Sequence, residues 1–439
     1  MVNIDFRKFH QSLQNIDPIR YNGKITQVIG LVMESQGPHA KLGELCYVFP
    51  RQRGEKPISA EVVGFRNGSV LLMPLGEMQG VGPGCEVVAT DRVMGVCVGP
   101  QLLGRILDGL GNPIDGKGPL SSELEYPTNC APPAPLLRQR IEEPLSLGIK
   151  AVDGLLTCGR GQRLGIFAGS GVGKSTLLGM VARNTEADVS VIALIGERGR
   201  EVREFIERDL GEEGLRRSVV IVATSDQPAL VRIKGAMVAT AIAEYFRDQN
   251  KQVMLMMDSV TRFAMAQREV GLTIGEPPAT RGYPPSVFAL LPKLLERSGA
   301  GERGTITGMY TVLVDGDDMN EPITDTVRSI LDGHIMLSRS LAAQNHYPAI
   351  DILGSVSRVM LDIVDRQHWN AAQNVRNILA VYREAEDLIN IGAYVPNSNP
   401  KIDYAIEKIS EARAFLCQDI TVSVPFEDTK AQLLALVSG

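Results

Sequence analysis

Apolar and polar positions change their period three times along this chain. Residues 1–17 place Val2, Phe6, Phe9, Leu13 and Ile16 at alternating spacings of four and three, which makes one apolar stripe on a helix ended by Pro18. A stripe says only that something covers it, so a docking helix over 1–20 and a helix packed on its own domain both fit. From about Tyr21 to Arg92 the pattern turns to short β-type segments such as 24–33, 60–65 and 69–73, punctuated by Gly and Pro and by an Asn67-Gly68 hairpin turn. A small β-barrel over 21–92 is expected. Between 93 and about 350 apolar strands at 165–168, 189–195, 219–223, 253–257 and 305–314 alternate with helical stretches, the pattern of a mostly parallel sheet covered by helices. The Gly- and Pro-rich stretches 109–119 and 131–135 lead into it as loops. Beyond Asp351 the pattern becomes helical, with helices predicted at 358–364, 368–385, 402–416 and 429–437, so 351–439 is expected to form a helical C-terminal domain.

One loop in the alternating region carries chemistry. Ala168-Gly169-Ser170-Gly171-Val172-Gly173-Lys174-Ser175 stands between the strand signal ending at Phe167 and the helix signal that starts at Thr176. Small residues let the backbone curl round a polyphosphate with its N–H groups inward, and Lys174 reaches the β- and γ-phosphates while Ser175 offers its hydroxyl to Mg²⁺. The helix that follows adds its positive end, which brings Thr176 into the nucleotide-binding set. Ala168 replaces the usual first glycine at the strand's last position, where a methyl group costs little. ATP and Mg²⁺ are the ligands this loop predicts.

Two strand ends supply further candidates. The apolar run 253–257 ends in Asp258, so a carboxylate stands at the carboxyl end of a buried strand, where parallel sheets place their ligand crevice. Mg²⁺ favours one or two carboxylates with phosphate oxygens and water, which makes Asp258 the second metal anchor beside Ser175. The strand at 191–195 leads into Gly196-Glu197-Arg198-Gly199-Arg200-Glu201. A glutamate at that place can polarise a water for in-line attack, and Arg198 can meet phosphate oxygens; a merely solvated charged loop is the competing reading.

Composition narrows the setting. At 439 residues the length suits two or three domains, and 51 acidic against 45 basic side chains leave a net charge of −6, so no global field draws the chain to nucleic acid or anionic lipid. The six cysteines form no CxxC pairs, which speaks against a zinc site or a disulfide framework and fits a reducing cytoplasm. No leader-like core stands at residues 1–11, and no apolar run is long enough to cross a bilayer.

Longer motifs then point to a family. Pro348-Ala-Ile-Asp-Ile-Leu-Gly-Ser-Val-Ser357 resembles the signature of the rotary ATP synthase α and β subunits and their relatives. The stretches 148–153, Gly196-Glu197-Arg198 and Asp258-Ser-Val-Thr-Arg262 stand in that family's order and at comparable spacing. Within it, the stretches 281–285, 314–322 and 387–394 are similar to the ATPases of type III secretion, most of all those of flagellar export, and the acidic segment of the synthase β subunit has no counterpart. The resemblance covers nearly the whole chain. It implies a RecA-like P-loop core between the barrel and the C-terminal helices. It also implies that Glu197 activates the attacking water, Arg198 and Arg262 contact phosphates, Glu201 supports the magnesium shell, and Tyr347 stacks on adenine. Ser355-Val-Ser-Arg358 matches the run from which the synthase's non-catalytic subunit supplies an arginine to its neighbour's site. Here that run shares a chain with the catalytic glutamate, so the resemblance implies a homohexameric ring with Arg358 completing each adjacent site.

The same resemblance implies partners and a place. These are a regulator protein on the N-terminal helix, a coiled-coil stalk protein facing the 317–322 loop, a membrane export gate, and export substrates with their chaperones. They set the chain in the cytoplasm, peripheral to the inner face of the cell membrane. Injectisome secretion is the nearest alternative to flagellar export. More distant are a synthase subunit in a mixed ring, a non-hydrolysing scaffold, and an RNA translocase. Against the last, the barrel stretch offers only Tyr21, Tyr47, Phe49 and Phe65 as stacking platforms and one short basic run at 51–56, interrupted by Glu55, so no nucleic-acid partner is expected.

Overall fold

The computed structural model describes residues 22–51, 55–122, 124–314, 316 and 318–438. The predicted stripe helix over 1–20, and with it the regulator-docking surface, lies outside these residues. The chain forms two compact units, one reaching to Met94 with Thr273–Gly275, the other made of Gly95–Leu272 and Glu276–Gly439.

The first unit is a closed six-stranded barrel. Its strands are β1 (Gly23–Ile29), β2 (Val32–Gln36), β3 (Glu44–Phe49), β4 (Ile58–Arg66), β5 (Ser69–Pro74) and β6 (Glu86–Val93), hydrogen-bonded in the order β1-β2-β5-β4-β3-β6 and closed by β1 on β6. Ile25, Met33, Val48, Val62, Leu72 and Val87 fill it from alternate positions. The predicted hairpin turn joins β4 to β5, with φ of 49° at Asn67 and 80° at Gly68, the left-handed pair that a two-residue hairpin requires. The stretch 24–33, read from sequence as one segment, is two strands. Gly30, at φ 56°, turns the chain between them.

The second unit is built on a twisted sheet. Along its length come β7 (Gly95–Cys97), β8 (Arg105–Asp108), β9 (Glu125–Pro127), β10 (Arg163–Ala168), β11 (Val189–Ile195), β12 (Ser218–Ala223), β13 (Gln252–Asp258), β14 (Gly299–Ala300), β15 (Thr305–Leu313), β16 (Gly333–Leu337) and β17 (Ile350–Ser357). The sheet order is β17-β16-β10-β15-β13-β11-β12-β8 with β14 on β15, while β7 and β9 pair apart. Strands β8 to β16 of the main path run parallel, and β17 returns antiparallel on β16. Fully buried runs such as Val253–Met257 mark central strands covered on both faces.

Strand β17 corrects the expectation that the chain turns helical beyond Asp351. Its alternation of buried and open positions is that of an edge strand, and helices begin only at Met360–Ile363. Helices Arg366–Asn390, Pro400–Leu416 and Phe426–Ser438 follow and share one hydrophobic core with the sheet through residues such as Leu155, Val375, Phe415 and Leu433. The helix packed against Gly154 is seated by its buried His368, whose Nε2 lies 2.9 Å from the Gly154 carbonyl oxygen.

Candidate functional site

The predicted phosphate loop joins β10 to helix Lys174–Asn184 at the carboxyl edge of the sheet. Gly171 (φ 79°) and Gly173 (φ 86°) take the left-handed conformation that turns successive backbone N–H groups into one concavity. Gly173 is also the residue preceding the helix, so Lys174, Ser175 and Thr176 occupy its first turn, with their N–H groups free of helical partners. Lys174 lies between two carboxylates, Nζ 2.5 Å from Asp258 Oδ1 and 3.5 Å from Glu197 Oε1. Both come from strand ends, Asp258 from β13 and Glu197 two residues past β11, as the sequence predicts. Thr311, on the neighbouring β15, donates to Asp258 Oδ1 at 2.7 Å and holds that side chain toward the loop.

Electrostatics distinguish the two carboxylates. Burial pushes the Glu197 carboxyl up to about 7, the nearby Asp258 charge adds to this, and Lys174 opposes it. A carboxylate titrating near neutrality is matched to accepting a proton from water. Burial alone would depress the Lys174 ammonium, but Asp258 and Glu197 outweigh it and its pKa is raised, so it stays charged. An ammonium held by two carboxylates is poised to exchange them for a bound triphosphate.

Arg262 reaches the same crevice over a glycine. The ideal Cβ of Gly196 would stand 2.7 Å from Arg262 Cβ, so only glycine lets that stem pass beside Glu197. Arg262 Nε is buried without a hydrogen-bond partner, an orphaned donor that suits an anion. The inward-turned loop, the charged Lys174 and this donor fit a nucleotide's phosphates. For Mg²⁺ the oxygen donors are the Ser175 hydroxyl and Asp258, few enough to leave places for phosphate and water. Among the described residues no cluster of three or more His, Cys, Asp or Glu side chains forms a cation cage elsewhere.

The remaining predicted residues fall into two groups. Arg198 and Glu201 lie on the rim, where Arg198 Nη1 pairs with Glu201 Oε1 at 3.1 Å and stands 80 % exposed. Tyr347 stands over the loop, its ring 3.6 Å from where a Gly173 Cβ would be, and helps line a cavity of about 190 Å³ beside Val172 and Thr176. Arg358 is elsewhere. It follows β17, its N–H bonded to the Asp332 carbonyl at the amino edge of the sheet, where Asp332 also holds Arg163 at the start of β10. The phosphate loop lies at the other end of β10, roughly 17 Å away at a strand's rise of about 3.3 Å per residue. The structure therefore does not bring Arg358 to its own chain's phosphate loop.

Sequence reasoning missed the C-terminal wall of the cavity. Gln418 N–H donates to the Tyr347 carbonyl at 3.0 Å, its Oε1 accepts from Lys150 N–H at 2.8 Å, and its Nε2 donates to the Gly148 and Val422 carbonyls, each at 2.7 Å. Ile420 lines the same wall. No local motif marks these residues, since their place depends on how the last helices fold back.

A strand-ended phosphate loop, a lysine shared by two carboxylates and a near-neutral glutamate define a P-loop ATPase. The chain matches the nucleotide-binding domain of the ATP synthase alpha/beta family over residues 148–357 and that family's beta-barrel domain over 25–91, and it belongs to this family. Residues 364–435 match the C-terminal domain of the type III secretion ATPase EscN, which makes the chain a type III export ATPase. It is 55 % identical to the flagellum-specific ATP synthase of Bacillus subtilis over 97 % of this chain and 98 % of that one. It is 53 % identical to the type 3 secretion system ATPase of Xanthomonas euvesicatoria over 93 % and 92 %. Among solved structures it is similar to assembled EscN from enteropathogenic E. coli, with a TM-score of 0.89, 47 % identity and coverage of 94 % of this chain and 100 % of that one. It is also similar to EscN in complex with its central stalk EscO, with a TM-score of 0.87, 46 % identity and the same coverages.

Proposed function

We propose that this ATPase works as a homohexamer in which Arg358 of each subunit completes its neighbour's site, and that hydrolysis energises flagellar protein export. The observation that carries this is the separation of two halves of one site. Glu197, Lys174 and Asp258 meet at the carboxyl edge of the sheet, while Arg358 stands at the amino edge. An arginine given across a heterologous contact stabilises charge on the transferring phosphoryl group, and repetition of that contact closes a ring.

In this reading the triphosphate lies in the concavity of Gly169 to Gly173 with Ser170 and Val172, and Lys174 leaves Glu197 and Asp258 to bind it. Glu197 takes the proton of the attacking water. Arg262 and Arg198 meet the phosphates, and Tyr347 stacks on the base. Ser175 and Asp258, with Glu201 supporting the water shell, hold Mg²⁺, which when bound neutralises phosphate charge. Closing round nucleotide at a subunit boundary shifts one subunit against the next, so turnover is coupled to motion.

The flagellar assignment follows the 55 % identity to a flagellum-specific relative and the 314–322 stretch; an injectisome role is the alternative. The 317–322 loop would face a coiled-coil stalk, as the stalk complex of EscN suggests, and its described part is tied down by Arg281, 3.1 Å from Asp318. The N-terminal residues would take a regulator, and the C-terminal helices would face the membrane export gate and substrate–chaperone complexes. No described helix is long and apolar enough to cross a membrane, so attachment to the inner membrane face would come through such partners.

Mixing separates shared from self-contained sites. Glu197→Gln and Arg358→Ala are each expected to be inactive alone, while an equimolar mixture recovers part of the activity, and wild-type rate per subunit rises steeply with protein concentration. Full activity of Arg358→Ala at a rate independent of concentration would refute the ring. Restored swimming on expression in a motile bacterium lacking its own export ATPase checks the flagellar assignment.

A further inference from the structure

We propose that Arg208 reads the nucleobase and makes the site selective for purines. The inference rests on the ATPase reading above and adds a residue to it. Arg208 lines the 190 Å³ cavity that Tyr347 shares with the first turn of the phosphate-loop helix, and it is the one residue charged at neutral pH among those lining it. The phosphate site has its own cations in Lys174 and Arg262, neither of which lines this cavity, so the Arg208 guanidinium is available for another part of the ligand.

A local irregularity of the backbone brings it there. Helix Gly199–Glu204 passes directly into a π-helical stretch, Phe205–Leu210. Such an insertion shifts the faces of the residues in it and is frequent at functional sites. Here it presses Asp209 against helix Lys174–Asn184, where an ideal Cβ on Gly179 would meet Asp209 Cβ and its carbonyl oxygen at 2.7 Å each. Glycine at 179 permits that approach, and Arg208 is carried to the cavity beside it.

The long polar side chain on the opposite wall, Gln418, is committed. The Gln418 side chain uses both ends of its amide on the Lys150 N–H and on the Gly148 and Val422 carbonyls, so it braces the wall and has no donor to spare for a base. The Arg208 guanidinium feels the charge of the adjacent Asp209, and no side-chain hydrogen bond of it is found among the described residues. Its N–H donors match N7, the acceptor on the edge of a purine's imidazole ring, a ring that a pyrimidine lacks. A base stacked on Tyr347 would offer that edge to the helix wall.

Steady-state hydrolysis of ATP, GTP, CTP and UTP by wild type, Arg208→Ala and Arg208→Lys tests this. Arg208 is exposed, and removing its charged hydrogen bond should raise KM for ATP and GTP about tenfold in Arg208→Ala. The rate at saturation should stay within twofold, CTP and UTP should be little affected, and Arg208→Lys should fall between. Equal KM shifts for purines and pyrimidines would place Arg208 on ribose or phosphate and overturn the proposal. So would unchanged KM values, or a fall in the saturated rate. A wild-type protein that hydrolyses no nucleotide would instead overturn the ATPase reading, which the Arg208 comparison does not touch.

Discussion

Glu197→Gln should abolish turnover and at the same time make the protein more stable above neutral pH. Burial and the Asp258 charge raise the folded-state pKa of this carboxyl to about 7 from the 4.5 of an unperturbed glutamate. A carboxyl raised on folding favours its protonated form, so its contribution to stability is intact below about pH 4.5, declines as pH rises to about 7, and is lost above that. The difference converts to about 3 kcal/mol as a ceiling, at 1.36 kcal/mol per pKa unit. Glutamine has the protonated shape and never ionises, so the variant escapes this cost. The unit that holds the site has roughly 340 residues, for which 1 kcal/mol moves the melting midpoint by about 1.4 °C, giving a gain of up to about 4 °C. Paired thermal melts at pH 5 and pH 8, without nucleotide or divalent metal, measure it. Wild type and variant should nearly coincide at pH 5 and separate at pH 8 with glutamine higher, while ATP hydrolysis falls by about 10²- to 10⁴-fold. A gap of the same size at both pH values, or a variant less stable at pH 8, would refute the electrostatic account of Glu197.

Three further outcomes follow from the same geometry. Lys174→Ala should eliminate nucleotide binding, measured by calorimetry, because it removes the ammonium held between Asp258 and Glu197. Arg297 and Glu244 form a buried two-bond pair at 2.9 and 2.6 Å, so Arg297→Met alone should cost about 3–5 kcal/mol in urea denaturation, and Arg297→Met with Glu244→Leu should recover most of it. Gly68→Val should destabilise the barrel by about 1–2 kcal/mol, read in the same way, since φ of 80° suits no β-branched side chain.

What could be read in the chain was whatever a short window specifies. β11 appears in the structure with the bounds its apolar run predicts, and the phosphate loop, Asp258 and Glu197 meet because each follows a strand of one parallel sheet. Errors arose where tertiary pairing overrules a window. Gly30 divides one apolar stretch into two strands, and β17 looks unremarkable until β16 supplies its partner. Strand β8 has no clear signal in the sequence for the same reason, since pairing at a sheet edge defines it. Arg208 and Gln418 belong to no motif. One is delivered by a π-helical insertion, the other by helices that return to the core some 70 residues after Tyr347.

Gln418 binds together three places that a gene would treat as separate: the turn at Gly148 and Lys150, the carbonyl of Tyr347, and the chain after the helix Pro400–Leu416. A chimera that exchanges all the C-terminal helices between two such ATPases would import a foreign wall for this cavity, and nucleotide affinity would change with it. A junction placed after Val424 exchanges the last helix alone and leaves Gln418 with its bonds.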